Sequence, residues 1–489
     1  MLSPEIILIT VLSYFTLLTL VSYITGKEDN NKVFFKANKN SNWLIVAFGM
    51  VGASLSGVTF ISVPGWVEDT QFTYFQVVLG YLVGYLFVAT ILLPIYYRLG
   101  LTSIYEYLDQ RFGKNSYLVG SVFFLISRVL GASFRLFLVA IVLQEFVFDS
   151  MKIPFEITVI FSILLIWLYT KRGGIKTIVW TDTIQTTLMI LAVILSIIYI
   201  NKSLDWSITE FLYSSDIKEY NRIFVMDNFL ERNFFWKHFI GGAFITICMT
   251  GLDQDMMQKN LTCRNIDEAK KNMILFSFIL VFVTFLFILL GALLYIYAYK
   301  SNISIPANSD LLFPKIALEG GLGQFVGITF ILGLIAAAYS SADSALTSLT
   351  TSFCIDILKI NKLPEEHQIK IRKQTHIWMS LALIVVVIIY RYVLDRNVID
   401  SLLIVAQYTY GPLLGLFAFG IFTKFQIDDK KVYYVVIINM ILIIFLGNID
   451  SSLIGGYSIG YELLPINGLL NFIGLYPVSY THLTLPTKA

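Results

Sequence analysis

Residues 48–59 read FGMVGASLSGVT and lie in the middle of an apolar run that covers 43–65. A helix that faces lipid would fill such positions with leucine and isoleucine, whereas glycines and hydroxyl side chains crowd this one. Five apolar runs further along the chain, residues 246–255 read TICMTGLDQD and interrupt the run 236–257 in a similar way. Two interruptions at corresponding positions of two halves of a chain are the sequence pattern that best indicates a transporter's binding site.

The composition indicates a protein that uses lipid as its solvent. The chain has 489 residues, of which 57% are hydrophobic and 14% are charged, whereas soluble domains carry about 25% charged residues. In lipid every backbone polar group must be satisfied internally, so the apolar runs predict helices. The net charge of +2 does not indicate nucleic acid as a partner, and the three cysteines and four histidines are too scattered to predict a disulfide or a metal site.

About thirteen runs are long enough to cross a bilayer, which takes about 20 apolar residues. The first run follows an N-terminus without a basic segment and has no small-residue cleavage site, so we interpret it as a retained span and not as a signal peptide. The predicted spans are 5–25, 43–65, 73–97, 116–148, 153–170, 176–200, 236–257, 272–298, 322–357, 375–393, 399–423, 432–447 and 464–478.

The two interruptions divide the chain into two halves of five spans each, and the odd number gives the halves opposite orientations. Inverted repeats of this kind are common in secondary transporters. The predicted divisions are 1–42 (first span and cytoplasmic linker), 43–200 (first five-helix repeat), 201–235 (extracytoplasmic loop), 236–424 (second five-helix repeat), 425–478 (accessory spans) and 479–489, a tail that looks like translated cloning sequence.

Lysine and arginine in the linkers predict the orientation, because they accumulate on the cytoplasmic side. Alternate linkers, beginning with the one after the first span, hold roughly 22 basic residues, against about 10 on the other side. Four of those, Lys202, Lys218, Arg222 and Arg232, lie in the long loop 201–235, where charge has less influence on topology. The sequence therefore predicts a protein of the bacterial inner membrane with its N-terminus outward.

The ninth span is dense in small hydroxyl side chains, since residues 336–348 read AAAYSSADSALTS. Helical spacing places four hydroxyls on one face, namely Ser340, Ser344, Thr347 and Thr351. Sodium is a hard cation that prefers oxygen ligands, so this face is a candidate ion site, although small residues also serve to pack helices closely. The carboxyl of Asp343 favours the ion site, because a charge at membrane depth is costly and is usually functional.

Three further charged residues lie inside predicted spans. Asp182 is close to the start of the sixth span, where it could also pair with Lys176 at the interface. Arg128 and Arg135 are seven residues apart in the middle of the fourth span and therefore lie on nearly one face. Each arginine requires an anion at this depth, which is either a structural aspartate such as Asp253 or a carboxylate of the solute.

On these residues the sequence resembles the sodium/solute symporter family over nearly its whole length. The motifs that carry the resemblance are SSADS at 340–344, GGIKTIVWTD ending at Asp182, and TGLDQ at 250–254 with Gln258. The resemblance implies an all-α membrane protein with the LeuT-type fold, in which two inverted five-helix repeats are accompanied by extra helices.

The resemblance also implies site residues at matching positions. It predicts one sodium site formed by Gly52, Leu55, Ala337, Ser340 and Ser341, and a second, nearer the cytoplasm, formed by Asp182, Ser340, Asp343 and Ser344. It predicts solute contacts from Ser56, Thr59 and Arg128, to which we add the polar residues Gln254 and Gln407 at two helix interruptions.

The function that this sequence predicts is import of a small organic solute by sodium-driven symport with alternating access. The arginines favour a carboxylated sugar such as sialic acid, with other sugars and amino acids as alternatives. Sodium is the expected co-transported ion, the solute and the bilayer are the expected partners, and the chain is expected to act as a monomer. An enzyme is not predicted, because no nucleophile and base pair up in the spans. Two alternatives stay open, namely a proton-coupled transporter with Asp182 or Asp343 as the carrier and a sensor that keeps the transporter fold without transport.

Overall fold

The structure is a computed structural model that describes residues 3–25, 34–35, 37–171, 174–394 and 397–480. Most of the predicted tail, residues 481–489, lies outside these ranges.

The first half of the chain contains six long helices. They are α1 (Pro4–Thr25), α2 (Trp43–Gly65), α3 (Tyr74–Leu99), α4 (Lys114–Phe148), α5 (Phe155–Thr170) and α6 (Gly174–Ser203). Short helices occupy Val67–Thr70, Glu106–Arg111 and Ile208–Tyr213 between them. The first predicted repeat therefore corresponds to α2–α6.

Two helices of the second half are interrupted. The elements of this half are α7 (Phe235–Thr246), α8 (Gln254–Asn260), α9 (Ile266–Lys300), α10 (Gln324–Ile357), α11 (Glu365–Val393), α12 (Val398–Thr409), α13 (Gly411–Phe422), α14 (Val432–Gly447) and α15 (Leu463–Leu475). A short helix covers Leu312–Glu319. Strands β1 (Gln426–Ile427) and β2 (Ser479–Tyr480) pair antiparallel.

Every predicted span coincides with a helix, but not every helix is long enough to cross a membrane by itself. Within the described ranges, nine helices are long and apolar enough, and the pair α12 and α13, bent by 48°, would make a tenth. The helices α5 and α15 are shorter, and the interruption separates α7 from α8. The count of thirteen spans therefore stays a prediction.

The core lies where α2, α6 and α10 pack against one another, with α4 on the other side of α10. Small residues allow the close approach. A Cβ atom added to Gly52 would lie 2.3 Å from Oγ1 of Thr186 on α6, and one added to Gly57 would lie 3.3 Å from Cβ of Ala338 on α10. The glycines of α2 and the alanines of α10 thus serve packing, as small residues in membrane helices do.

Candidate functional site at the helix interruptions

The interruption in α2 is a break in the backbone at Ser56, whose φ of 56° and ψ of 174° are not helical. Such a break leaves neighbouring carbonyl oxygens without their intrahelical partners. One of these carbonyls, that of Ala53, accepts a hydrogen bond from the hydroxyl of Ser341 on α10 at 2.9 Å. The broken helix and the hydroxyl-rich helix therefore meet, as the sequence predicted.

The first predicted sodium group lies around this contact. Gly52 and Leu55 lie on either side of Ala53 and precede the break, and both are buried. On α10, the hydroxyl of Ser340 donates to the carbonyl of Ala337 at 3.2 Å. The bond between Ser341 and Ala53 brings a hydroxyl and a carbonyl oxygen of two helices together, and oxygens of these types suit a hard monovalent cation. Ala53 was missed, because the sequence does not show at which residue the helix breaks.

The second interruption is a π turn over Ile247–Gly251, after which Asp253 has an extended backbone and caps α8. Its freed carbonyls are satisfied by tyrosines. The hydroxyl of Tyr96 donates to the carbonyl of Gly251, and the hydroxyl of Tyr105 donates to that of Leu252, both at 2.9 Å. Both predicted interruptions are therefore real breaks with their polar backbone groups directed into the protein.

A cavity of about 90 Å³ lies between the two breaks. Its polar lining comes from α2, α3, α4, α7, α9 and the second break, through Ser54, Ser56, Thr59, Tyr74, Tyr81, Tyr85, Arg128, Arg135, Thr246, Thr250 and Thr284. Three predicted solute contacts, Ser56, Thr59 and Arg128, line this cavity.

The two arginines of α4 differ in their partners. The guanidinium of Arg128 forms an ion pair with Asp255, and its Nη1 lies 3.8 Å from Oδ2 of Asp253, which also accepts a hydrogen bond from the hydroxyl of Tyr410 at 2.6 Å. Arg128 is therefore occupied by two carboxylates of the second interruption. Of the two anions that the sequence analysis allowed for Arg128, the structure therefore shows the structural aspartates.

Arg135 has no comparable partner. Its side chain is 6% exposed, and its Nε and Nη1 atoms have no hydrogen-bond partner among the described residues. A buried guanidinium with unpaired N–H groups that lines a cavity is prepared for an anion. The sequence placed Arg135 on the same face as Arg128 but could not show which of the two arginines forms an ion pair within the protein.

The glutamines lie elsewhere. Oε1 of Gln254 accepts from the backbone N–H of Ile104, and its Nε2 donates to the carbonyl of Thr102, both at 2.9 Å. The backbone carbonyl of Gln407 accepts from Nδ2 of Asn467 at 2.8 Å. Neither glutamine is among the residues that line the cavity, so we leave both out of the proposed solute site.

A buried lysine, Lys259, lies next to the second predicted sodium group. Nζ of Lys259 lies 2.7 Å from Oδ2 of Asp182. Asp343 accepts hydrogen bonds from the hydroxyl of Tyr169 at 2.8 Å and from that of Ser344 at 3.3 Å. Lys259 follows the predicted span 236–257 and was counted among the roughly 22 basic residues of the cytoplasmic linkers, but it belongs to α8, which carries its side chain into the protein, where it is 1% exposed.

The sequence model of the sodium:solute symporter family matches residues 34–427. The chain belongs to the sodium:solute symporter family. It is therefore a sodium-coupled membrane transporter of a small solute and not an enzyme, which confirms these predictions.

Similar members of the family carry different solutes. The chain is 28% identical to the sodium/sialic acid symporter NanT of Aliivibrio fischeri, over 82% of this chain and 80% of that protein. It is 26% identical to the sodium/sialic acid symporter SiaT of Proteus mirabilis, over 82% and 81%. It is 25% identical to the sodium-coupled monocarboxylate transporter 1 of Xenopus laevis, over 83% of this chain and 65% of that protein.

The fold matches that of a solved symporter. A Na+-coupled sialic acid symporter in a substrate-bound, outward-open state has a TM-score of 0.82 with this chain, at 22% identity over 96% of both chains. The nucleobase-cation-symport-1 family transporter Mhp1 has a TM-score of 0.57 at 13% identity, over 92% of this chain and 94% of that one. The predicted LeuT-type architecture of this symporter is thereby confirmed.

Proposed function

We propose that this symporter imports a small organic anion with a carboxylate group, which binds in the cavity between the two interrupted helices. The observation that carries the proposal is Arg135, a buried guanidinium that lines the cavity and has unpaired N–H groups. Guanidinium groups bind carboxylates through paired, charge-assisted hydrogen bonds. The hydroxyls of Ser56 and Thr59, which line the same cavity, would bind other polar groups of the solute.

The similar proteins support this solute class. Sialic acid and monocarboxylates, which the names of the relatives specify, share a carboxylate group. We take sialic acid as the first candidate, because the sialic acid symporters match this chain over most of both lengths.

We assign the coupling sodium ion to the first group. The backbone carbonyls of Gly52, Leu55 and Ala337 and the hydroxyls of Ser340 and Ser341 would hold it between α2 and α10. The contact between Ser341 and the carbonyl of Ala53 supports this assignment, since it shows that hydroxyl and carbonyl oxygens meet at the break. Sodium bound there would fix the two helices in the state that accepts the solute, and the inward sodium gradient would drive release on the other side.

The remaining parts of the proposal concern topology and assembly. We place the protein in a bacterial inner membrane with its N-terminus outward, because the basic linkers alternate consistently with that orientation. We also propose a monomer as the transporting unit, since helices of one chain line the cavity and contribute both interruptions.

Uptake into proteoliposomes tests the proposal. Purified protein would be reconstituted and given radiolabelled sialic acid, a monocarboxylate or an uncharged sugar, with an inward sodium gradient, an inward proton gradient at equal sodium, or no gradient. We expect accumulation of a carboxylate with the sodium gradient only. Accumulation with the proton gradient alone would contradict sodium as the coupling ion, and uptake of the uncharged sugar in preference to both acids would contradict the solute class.

A further inference from the structure

The ammonium group of Lys259 lies in the second predicted sodium group. Its Nζ is 2.7 Å from Oδ2 of Asp182, and the side chains of Lys259 and Asp182 are 1% and 0% exposed. Lys259 belongs to α8, the half-helix after the second interruption, and Asp182 belongs to α6. The fold itself therefore holds a full positive charge next to this carboxylate.

Lys259 and Asp182 are each other's salt-bridge partners. Within the described part of the chain, neither Lys259 nor Asp182 takes part in a second salt bridge. Removing one member of such a buried pair leaves an uncompensated charge in a medium of low polarity, which is strongly unfavourable. Each charged group of the pair therefore stabilises the other in its buried position.

The second carboxyl of the group is bound by hydroxyls. Oδ2 of Asp343 accepts from Tyr169 and Oδ1 accepts from Ser344. Asp343 lies close enough to Asp182 and Lys259 to interact electrostatically with both. Both oxygens of Asp343 have protein donors, and the cation within the group comes from the chain.

We propose that the ammonium of Lys259 is a permanent counter-ion of Asp182 that takes the place of a second sodium ion, so that the symporter couples one sodium ion to each solute molecule. A sodium ion at Asp182 would lie next to an ammonium group at salt-bridge distance, and the repulsion between two cations in a buried site excludes it. The one transported ion then binds in the group formed by α2 and the hydroxyls of Ser340 and Ser341. The inference rests on the proposed sodium site and adds the number of ions.

Direct counting of bound sodium tests the inference without knowledge of the solute. Purified wild-type protein would be titrated with 22Na+ in a scintillation proximity assay, and the number of ions per chain would be taken at saturation. We expect one ion per chain. Two ions would overturn the inference and leave sodium coupling intact, whereas no bound ion would overturn the proposed sodium site and the inference together.

Variants of the pair give a second, independent measurement. K259M removes the charge at similar side-chain volume, so we expect it to bind two sodium ions, because one now neutralises Asp182. The control K259R keeps a positive charge and should bind one ion, as should the double variant K259M/D182N, in which neither charge remains. One ion bound by folded K259M would overturn the inference. If K259M does not fold, the wild-type count still tests the inferred number of ions, since two bound ions would overturn it.

Discussion

The hydroxyl of Ser341 on α10 donates a hydrogen bond to the carbonyl of Ala53, 2.9 Å away, beside the break in α2. This bond joins the two helices at the point where the backbone oxygens of α2 leave the helical pattern. A bound sodium ion would take both oxygens as ligands in place of this hydrogen bond.

Replacing Ser341 by alanine should therefore weaken sodium binding. We expect S341A to raise the sodium concentration for half-maximal uptake by about 10-fold or more, since losing one interaction with a charged group costs about 1.5–3 kcal/mol. Sodium-dependent uptake at several sodium concentrations measures this, with membrane expression checked in parallel. A matched control is S348A, because the hydroxyl of Ser348 is buried on the same helix but bonds only to the carbonyl of Ala345. An unchanged sodium dependence in S341A would remove Ser341 from the site.

Arg135 should determine whether carboxylated solutes bind. We expect R135Q to weaken solute binding by about 10- to 100-fold, since hydrogen bonds to charged groups contribute about 1.5–3 kcal/mol, and R135K to retain part of the affinity because it keeps the charge. Isothermal titration with the transported acid at saturating sodium measures the effect. Equal affinities of R135Q and wild type would show that another group binds the carboxylate. Sodium binding in the absence of solute should be unaffected in both variants.

Arg128 should act on stability more than on solute recognition. R128Q leaves Asp255 and Asp253 without their counter-ion, and removing one partner of a buried ion pair costs about 3–5 kcal/mol. We expect a clear fall in the melting temperature of the detergent-solubilised protein. The double variant R128Q/D255N removes an opposite charge as well and should recover much of the loss. A melting temperature of R128Q equal to that of wild type would contradict the role of the ion pair.

The close contact between α2 and α6 should not tolerate a side chain at Gly52. In G52A the new Cβ would lie 2.3 Å from Oγ1 of Thr186, and such overpacking costs about 1–3 kcal/mol. We expect a lower melting temperature, which T186A should partly restore by making room. G131A is the matched control, because a Cβ on helical Gly131 would meet its nearest neighbour, Cδ1 of Leu402, at an ordinary 3.6 Å. Equal losses in G52A and G131A would show that the contact with Thr186 is not the cause.

Uptake of a carboxylate by the wild-type protein should not depend on membrane voltage. One sodium ion and one monoanion carry no net charge, whereas each net charge would gain about 2.3 kcal/mol per 100 mV. Proteoliposomes with a potassium gradient and valinomycin provide an inside-negative potential at a constant sodium gradient. We expect initial rates within twofold of those without the potential. A severalfold stimulation would indicate that a second sodium ion is carried.

The composition of single segments predicted part of this architecture. The glycines and hydroxyls around Ser56 and the polar run up to Asp255 predicted two interrupted helices, because such residues are unusual in a span that faces lipid. That the hydroxyls of α10 face the first break was implied by the resemblance to the family and not by the local sequence. The sequence also placed both arginines of α4 on one face.

The partners of charged groups were not predictable in the same way. Arg128 and Asp255 are 127 positions apart, and Lys259 and Asp182 are 77 positions apart. Such pairs depend on how helices of different repeats are placed in space. Lys259 also lies near the end of a short half-helix, Gln254–Asn260, just after the predicted span 236–257, which makes it look like a linker residue in the sequence. Gln254 is a polar residue at a helix interruption and therefore resembles a cavity residue in the sequence. Its side chain instead bonds to the backbone of Thr102 and Ile104, and residue spacing does not reveal such a contact.

The pairing of Lys259 with Asp182 sets a limit on how far the cell can concentrate its nutrient. A counter-ion that is part of the chain is never released inside, so it adds nothing to the work that the ion gradient performs. With one sodium ion moving alongside one monoanion, the ratio of inner to outer solute concentration cannot exceed the ratio of outer to inner sodium. Such an importer uses only one sodium ion for each molecule of acid. It suits a cell that consumes the acid soon after entry better than a cell that accumulates the acid against a steep concentration gradient.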